Sequence, residues 1–187
     1  MLYTKKGDSG TTKTLRQKKG ERISKASCQT EALGTLDELN SFLGLVKVKA
    51  ESAGQTCEIA GLTCAEIIHQ VQENLFIIQA EVAGADKTIK VGKIKELETY
   101  IGAAERAMPP IKTFFVSGGT ELGALFDVAR TFTRRAEREV IRAMEAKEIF
   151  VGQYTLAYLN RLSSLCYALA RFANFKAGIK EQSPKYQ

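Results

Sequence analysis

The feature that most constrains the fold is a helical repeat of apolar residues that runs through most of the chain. From about Thr35 onward, Leu36, Leu39, Leu43 and Val46 recur at steps of three and four residues, the spacing of one helical face. The chain contains only three prolines among 187 residues, so long helices meet few obligatory breaks. The sequence therefore predicts an all-α protein.

Breaks in this repeat divide the chain into five predicted helices. Each break is rich in glycine, proline or small polar residues: SAGQT (Ser52–Thr56), GAD (Gly84–Asp86), Pro109–Pro110 and GQYT (Gly152–Thr155). Thr120 follows the non-helical connector IKTFFVSGG and is a predicted N-cap of the fourth helix. Five amphipathic helices with short connections favour an up-and-down bundle. We expect one domain over 1–187, ending in a flexible tail over 179–187.

Charge and cysteine content narrow the class of protein. The 27 basic and 21 acidic residues give a net charge of +6, which favours an anionic partner: nucleic acid, a membrane surface or a polyphosphate. No apolar run is long enough to span a membrane, and MLYTKKGD lacks the apolar part of a signal peptide. Cys28, Cys57, Cys64 and Cys166 show no C-x-x-C spacing and there is one histidine, so a zinc site is not expected. The sequence favours reduced cysteines in a cytoplasmic protein.

The stretch YTKKGDSGTTKTL (Tyr3–Leu15) precedes the helical repeat and cannot join its core. Glycines allow positive φ and close approach to a ligand, and consecutive free N–H groups can form an anion-binding nest. A phosphate-binding loop is one interpretation of these residues. A solvated N-terminus is the other.

The fourth predicted helix carries the densest charged motif, ARTFTRRAEREVIR. Arg130, Arg134 and Arg138 are four residues apart, so they lie along one helical face and repel each other. The planar guanidinium group suits phosphate or carboxylate, although a solvated basic face is the alternative. Asp37, in GTLDELN, lies at the edge of the first apolar stripe, where a carboxylate would need a partner. An arginine of the fourth helix is the obvious candidate, and an unrelated exposed acid is the alternative.

Two further groups could belong to a site. Phe114 and Phe115 lie in the connector ahead of two glycines, where they either cover the end of the bundle or form a wall for a flat ligand. Asn160 and Ser163, in YLNRLSSL, are one turn apart beside the stripe of the fifth helix, where such groups usually satisfy a local polar network.

Five motifs together resemble the PduO-type ATP:corrinoid adenosyltransferases. YTKKGDSGTT, EALGTLDELN, FFVSGGT, ARTFTRRAER and YLNRLS occur in this order, and the resemblance extends from Tyr3 to about Gly178. It implies a homotrimer of five-helix bundles with active sites between neighbouring subunits. The implied enzyme transfers the 5′-deoxyadenosyl group of ATP to Co(I) of a reduced corrinoid, cob(I)alamin, giving adenosylcobalamin and triphosphate. It also implies Mg²⁺, a corrinoid reductase and an adenosylcobalamin-dependent enzyme as partners, with no nucleic acid and no membrane.

The resemblance assigns roles to residues by motif position, with segment 1–25 binding the nucleotide. The implied ATP-binding residues are Thr4, Lys5, Lys6, Gly7, Asp8, Gly10, Thr11, Thr12, Lys25, Arg134, Glu137, Arg138 and Asn160. The implied corrinoid-binding residues are Phe114, Asp37 and Ser163, and the implied catalytic residues are Arg134, Asp37, Arg130 and Phe114. Asp37 would pair with Arg130 of a neighbouring subunit, and Phe114 would occupy the lower face of the corrin ring. Magnesium would be held mainly by ATP.

The sequence also departs from the pattern of this family. Lys6 stands where many relatives carry a small polar residue, Cys28–Gln29 replaces a pair in which arginine is frequent, and Ser164 stands where aspartate is common. Two other functions stay open. One is an ATP-gated corrinoid carrier without catalysis, and the other is a helical nucleic-acid-binding protein. Basic residues spread along the chain, without a helix-turn-helix signature, count against the second.

Overall fold

Five long helices make up most of the computed structural model, which describes residues 3–53 and 57–186. The helices are α1 (Cys28–Ala53), α2 (Cys64–Ala83), α3 (Val91–Ala107), α4 (Glu121–Glu145) and α5 (Gln153–Lys176). Two antiparallel pairs of two-residue strands accompany them: β1 (Thr11–Thr12) with β2 (Ile23–Ser24), and β3 (Glu58–Ile59) with β4 (Leu62–Thr63). The five-helix prediction is confirmed. The strands were not predicted, because two residues are too few to show an alternating pattern.

The helix boundaries follow local signals. Thr63 caps α2 in a capping box with Glu66, and Gly84 ends it in the left-handed region at φ 98°. Thr120 caps α4 as predicted, since its hydroxyl accepts from the Gly123 N–H at 2.9 Å. Helix α1 begins at Cys28, well before the predicted onset, because polar Gln29 is buried there and adds nothing to the apolar repeat. The predicted break SAGQT lies partly outside the described residues.

The start of α5 depends on a neighbouring helix. Its N-cap, Gly152, has no side chain to offer, but its N–H donates to Oε1 of buried Glu81 on α2 at 2.9 Å. Thr155 donates its hydroxyl to the other oxygen of Glu81. The predicted break GQYT is therefore a helix start that is capped from α2.

Contacts between helices establish the directions of the chain. Glu38 contacts Arg135 and Lys49 contacts Glu121, so α1 and α4 are antiparallel. Hydrogen bonds from Asn74 to Tyr158 and from Thr155 to Glu81 make α2 antiparallel to α5. Tyr100 of α3 donates to Gln70 of α2 at 2.7 Å, after the reversal at residues 84–90. The bundle is up-and-down, and the apolar stripe of α1 (Leu36, Leu39, Leu43 and Val46) lies fully buried in its core.

The bundle has two different ends. At the loop end, the N-terminal segment 3–27 meets the end of α2, where the Leu15 N–H donates to the Ala83 carbonyl at 3.0 Å. At the connector end, residues 108–120 join α3 to α4 and the C-terminal tail follows α5. There the Val116 N–H donates to the Gln182 carbonyl at 2.8 Å. This contact, and those of Glu181 with Arg171 and Asn174, attach residues 181 and 182 of the predicted flexible tail to the bundle.

Two of the cysteines form a disulfide. Cys57 and Cys64 are joined across the β3–β4 hairpin, whose turn at Ala60 and Gly61 has positive φ. The prediction that all four cysteines are reduced is wrong for this pair, because only the hairpin brings two cysteines seven residues apart together. Cys28 and Cys166 are free thiols. None of the helices in the described part of the chain is long and apolar enough to cross a membrane.

Candidate active site

The N-terminal loop folds back on itself at the loop end. Lys5 and Gly10 lie in the left-handed region, with φ of 59° and 75°. Thr11–Thr12 then pairs with Ile23–Ser24, which returns the chain beside the loop. A Cβ atom at Gly7 would stand 3.1 Å from the Lys25 Nζ, so the Lys25 ammonium group lies directly over this glycine. The structure therefore brings Lys25 next to the glycine loop, although the two belong to separate stretches of the sequence.

The loop is exposed and strongly cationic. The predicted ligand-binding residues Thr4, Lys5, Lys6, Asp8, Gly10 and Lys25 are all exposed, and Gly7, Thr11 and Thr12 are half-buried. Arg22 was missed from the sequence. Its Nε donates to the Thr11 hydroxyl at 2.8 Å and its Nη2 to the Thr11 carbonyl at 2.7 Å. The pairing of β1 with β2 places Arg22 beside Thr11. Strands of two residues are too short to be recognised in the sequence. Within residues 3–53 and 57–186, no carboxylate forms an ion pair with Lys5, Lys6, Arg22 or Lys25.

The arginine face of α4 is also unpaired. Arg134 and Arg138 are exposed and Arg130 is half-buried. No ion pair in the described part of the chain involves any of these three arginines, whereas Arg135 pairs with Glu38 and Arg142 with Glu139. The buried Nε of Arg130 has no hydrogen-bond partner among the described residues. Unpaired guanidinium groups on one helical face can accept an anionic ligand without first breaking a protein contact.

Asn160 and Ser163 of α5 lie beside this face. The Asn160 side chain donates to Oε1 of Glu137 at 3.3 Å, which joins two residues that the motifs placed in one site. Ser163 is buried, and its hydroxyl donates to the Asn160 carbonyl at 2.9 Å. The Ser163 hydroxyl is thus engaged with the backbone, although the residue lines the pocket described next.

A pocket of about 500 Å³ lies between α3, α4, α5 and the connector. Its lining includes Phe114, Phe115, Arg130, Arg134, Ser163 and Tyr167. Phe114 is 75% exposed, whereas Phe115 is half-buried. Burial raises the pKa of the nearby Cys166 thiol to about 12, so this thiol is protonated at neutral pH and is a poor nucleophile. The pocket offers an aromatic wall opposite two guanidinium groups.

Asp37 faces a different pocket. It is exposed, and with Thr12, Thr14, Leu33 and Gly34 it lines a pocket of about 680 Å³ at the loop end. No arginine of α4 pairs with Asp37 within the described residues, so the expected contact is not made inside one chain. Consecutive helical residues point about 100° apart, so Glu38 faces α4 and takes Arg135 while Asp37 faces the N-terminal segment.

The two pockets have no lining residue in common. The first joins Asp37 to the N-terminal segment beside Ala83, at the loop end. The second joins Arg130 and Arg134 to Phe114, toward the connector end. One chain therefore presents two separate pockets with different linings.

Comparison with known proteins supplies independent information. The family model described as "Cobalamin adenosyltransferase" matches residues 2–173. The chain is 40% identical to the corrinoid adenosyltransferase of Bacillus subtilis (strain 168), with 95% of this chain and 89% of that protein covered. It is 31% identical to a human corrinoid adenosyltransferase, with 97% and 72% covered. It is 34% identical to the PduO protein of Salmonella typhimurium over 99% of this chain, but spans only 54% of that protein's length.

Solved structures show the same similarity in three dimensions. Two variants of the PduO-type ATP:corrinoid adenosyltransferase from Lactobacillus reuteri, each complexed with cobalamin and ATP, match with TM-scores of 0.87 and 0.86. Sequence identity is 29% and 30%. The matches cover 100% and 99% of this chain, and 97% and 99% of those chains.

Proposed function

Because the chain belongs to the cobalamin adenosyltransferase family, we propose that its glycine loop and its Phe114 pocket are the two halves of an ATP:corrinoid adenosyltransferase active site. The enzyme transfers the 5′-deoxyadenosyl group of ATP to the Co(I) of a reduced corrinoid. The observation that carries the assignment of the halves is their different chemistry. The glycine loop with its unpaired cations suits a triphosphate, and the Phe114 pocket suits a flat, largely apolar ring.

The reaction requires no nucleophile or base from the protein. Cobalt(I) supplies both electrons of the new bond to the ribose 5′-carbon and becomes cobalt(III). The bond between that carbon and the triphosphate oxygen breaks, and its electron pair leaves with triphosphate. Because the reaction needs no nucleophile or base from the protein, it agrees with a Cys166 thiol that is protonated and with a single histidine, His69, that is exposed.

The N-terminal loop and the α4 arginines bind and orient the triphosphate in this proposal. Lys5, Lys25 and Arg134 donate to its oxygens, and each charge-assisted hydrogen bond contributes about 1.5–3 kcal/mol. Holding the 5′-carbon in line with cobalt contributes more, because fixed geometry can supply roughly 7–11 kcal/mol of a barrier. The pair formed by Glu137 and Asn160 holds the α4 and α5 parts of the nucleotide site together.

Phe114 has a different role. Its exposed ring projects from the connector into the pocket, where it would lie against the lower face of the corrin. An apolar ring there excludes water and the corrinoid's own base from cobalt, so cobalt keeps few ligands and is reduced more easily. Ser163 lines the same pocket and contributes to its floor.

A complete site requires more than one copy of the chain. Asp37 and residues 12–15, which follow the glycine loop, line one pocket, and Arg130, Arg134 and Phe114 line the other, so these groups lie apart within one chain. We therefore propose that the loop of one subunit meets the arginine face of the next, with Asp37 paired to Arg130 across the contact. A homotrimer closes such head-to-tail contacts into a ring.

Magnesium fits this arrangement as an ion carried by ATP. The described residues contain no group of three side chains that could hold a metal. Mg²⁺ usually keeps several waters and binds through one or two carboxylates together with substrate phosphates. Asp8 is the carboxylate of the loop, so it is the residue that would hold the ion beside the triphosphate. The reductase and the adenosylcobalamin-dependent partner stay predictions of the resemblance, and the cytoplasmic location stays a prediction from the sequence.

The test is to mix the purified protein anaerobically with ATP, Mg²⁺ and chemically reduced cob(I)alamin and to follow the visible spectrum. We expect adenosylcobalamin to form with one triphosphate released for each turnover. Release of phosphate or diphosphate in its place would contradict attack at the 5′-carbon. Tight corrinoid and ATP binding without any cobalt–carbon bond would identify the carrier instead.

A further inference from the structure

A buried arginine lies behind the connector that carries Phe114. The Arg171 side chain, on α5, is only 2% exposed. Its Nη2 lies 2.6 Å from Oδ2 of Asp127 on α4, and its Nε lies 3.1 Å from Oε1 of Glu181 in the tail. A buried ion pair seldom stabilises a fold better than apolar packing would. This placement therefore suggests a role beyond stability.

Asn174, one turn after Arg171, is fully buried and uses its whole amide. Its oxygen accepts from the N–H and the hydroxyl of Thr120 at 2.8 and 2.9 Å. Its nitrogen donates to the Gly118 carbonyl at 2.7 Å and to Glu181 Oε1 at 2.6 Å. A Cβ atom at Gly119 would stand 2.7 Å from the Asn174 Oδ1, and Gly119 has a φ of 103°. This position in the connector therefore needs glycine.

The connector is held mainly by these polar contacts. Ile111, Phe114 and Val116 are 40%, 75% and 59% exposed, so core packing does little to fix them. The Val116 N–H donates to the Gln182 carbonyl, and the Arg171 guanidinium group lies 5.9 Å from the centre of the Phe115 ring. A cavity of about 240 Å³ lies beside Ile111, Phe115 and Arg171.

We propose that Arg171, Asn174 and Glu181, here called the tail clamp, are positioning residues for the corrinoid half of the active site. The clamp does not touch substrate. It ties the tail to residues 115–120 of the connector, and so holds the exposed Phe114 ring against the pocket. The assignment to the corrinoid rests on the proposed function, whereas the mechanical part rests on contacts within the chain.

The kinetic test replaces Glu181 and leaves the buried pair of Arg171 with Asp127 intact. Glu181→Ala removes the ion pair with Arg171 and the hydrogen bond from Asn174, whereas Glu181→Gln keeps an acceptor for Asn174. Loss of contacts to a charged group predicts a rise of about tenfold in KM for cob(I)alamin in Glu181→Ala. We expect KM for ATP to change by less than about twofold and the Gln variant to recover most of the loss. Glu98→Ala is the matched control, because it removes the exposed α3 partner of Arg161, which lies on α5 as Arg171 does. This variant should behave as wild type.

The second measurement does not depend on turnover. Hydrogen–deuterium exchange over residues 111–119 should accelerate in Glu181→Ala, above all at the Val116 amide, while exchange in α2 stays unchanged. Unchanged exchange in this segment would overturn the clamp. An equal rise in both KM values, or a rise matched by Glu98→Ala, would also overturn it. A wild-type protein that makes no adenosylcobalamin would instead contradict the proposed function, and cob(II)alamin binding, followed by its visible spectrum, would then replace KM as the readout.

Discussion

The N-terminal loop and the tail clamp use charged residues in opposite ways. At the loop end, Lys5, Lys25 and Arg22 surround an exposed glycine loop and form no ion pair among the described residues. At the connector end, Arg171 is buried between two carboxylates and touches an aromatic ring. In the proposed function, the unpaired charges of the loop are the ones that a bound triphosphate would neutralise. Charges that hold the backbone are neutralised within the fold.

The N-terminal segment is tied to the bundle by Gln29. Gln29 is buried, and its amide donates to the Thr14 hydroxyl at 3.2 Å and to the Val82 carbonyl at 2.9 Å. Its own backbone N–H donates to Glu148 of the α4–α5 connection at 2.7 Å. Gln29 thus holds the residues that follow the glycine loop, while the loop itself stays exposed.

The largest effect on activity should come from Arg134, which forms no ion pair among the described residues. Arg134→Ala should lower kcat by about 100- to 1000-fold, because a donor aimed at developing charge on the leaving group is lost. The side chain is exposed and makes no ion pair in the described chain, so the helical circular dichroism and thermal midpoint should not change. Arg142→Ala, on the same helix, is the control and should retain activity. Wild-type turnover in Arg134→Ala would remove Arg134 from the site.

Asp127 tests the charges that are paired within the fold, because it forms a buried ion pair with Arg171. Asp127→Ala should lower the free energy of unfolding by about 3 kcal/mol, because it removes a close partner from a buried guanidinium group. Urea unfolding followed by circular dichroism measures the change. Glu38→Ala breaks an exposed pair with Arg135 and should cost under about 1 kcal/mol. Equal costs in the two variants would contradict the contrast between buried and exposed pairs.

The disulfide next to the connector end should affect stability and leave the chemistry unchanged. Opening the short loop between Cys57 and Cys64 should lower the free energy of unfolding by about 2.5 kcal/mol through chain entropy. Thiol titration of the unfolded protein should find two free thiols before reduction and four after it. Four thiols in protein that was never reduced would show that the bond is absent. Turnover of the reduced protein below its melting temperature should match that of the oxidised protein.

The smallest effect should come from Lys25 at the loop end. Lys25→Ala should raise KM for ATP about tenfold, because one charge-assisted contact to the triphosphate is lost, and should leave KM for cob(I)alamin unchanged. Lys19, also exposed in the N-terminal segment but outside the loop, provides the control in Lys19→Ala. A rise in the corrinoid KM alone would place Lys25 in the other half of the site.

Sequence reasoning reached most of the fold and part of the site. Four helix breaks and the Thr120 cap are local signals, so their positions could be predicted within a few residues. The disulfide could not be predicted, since it needs the β3–β4 turn to form first. Arg22 escaped attention for the same reason, because only strand pairing brings it to Thr11. The pairing of Asp37 with Arg130 of a neighbouring subunit stays a prediction, because within the described residues it is Glu38, one residue further along α1, that contacts an arginine of α4.

By itself, the sequence determined the helical architecture, the glycine loop and the arginine face, because each depends on residues within a few turns of one another. Tertiary structure alone decided that Asp37 and the arginine face line two separate pockets, and that Arg171, Asn174 and Glu181 meet behind the connector. Those contacts join residues from α4, α5, the connector and the tail. The hydrophobic periodicity of a helix shows only which of its faces is buried. It does not show which polar group from a distant part of the chain will contact that face.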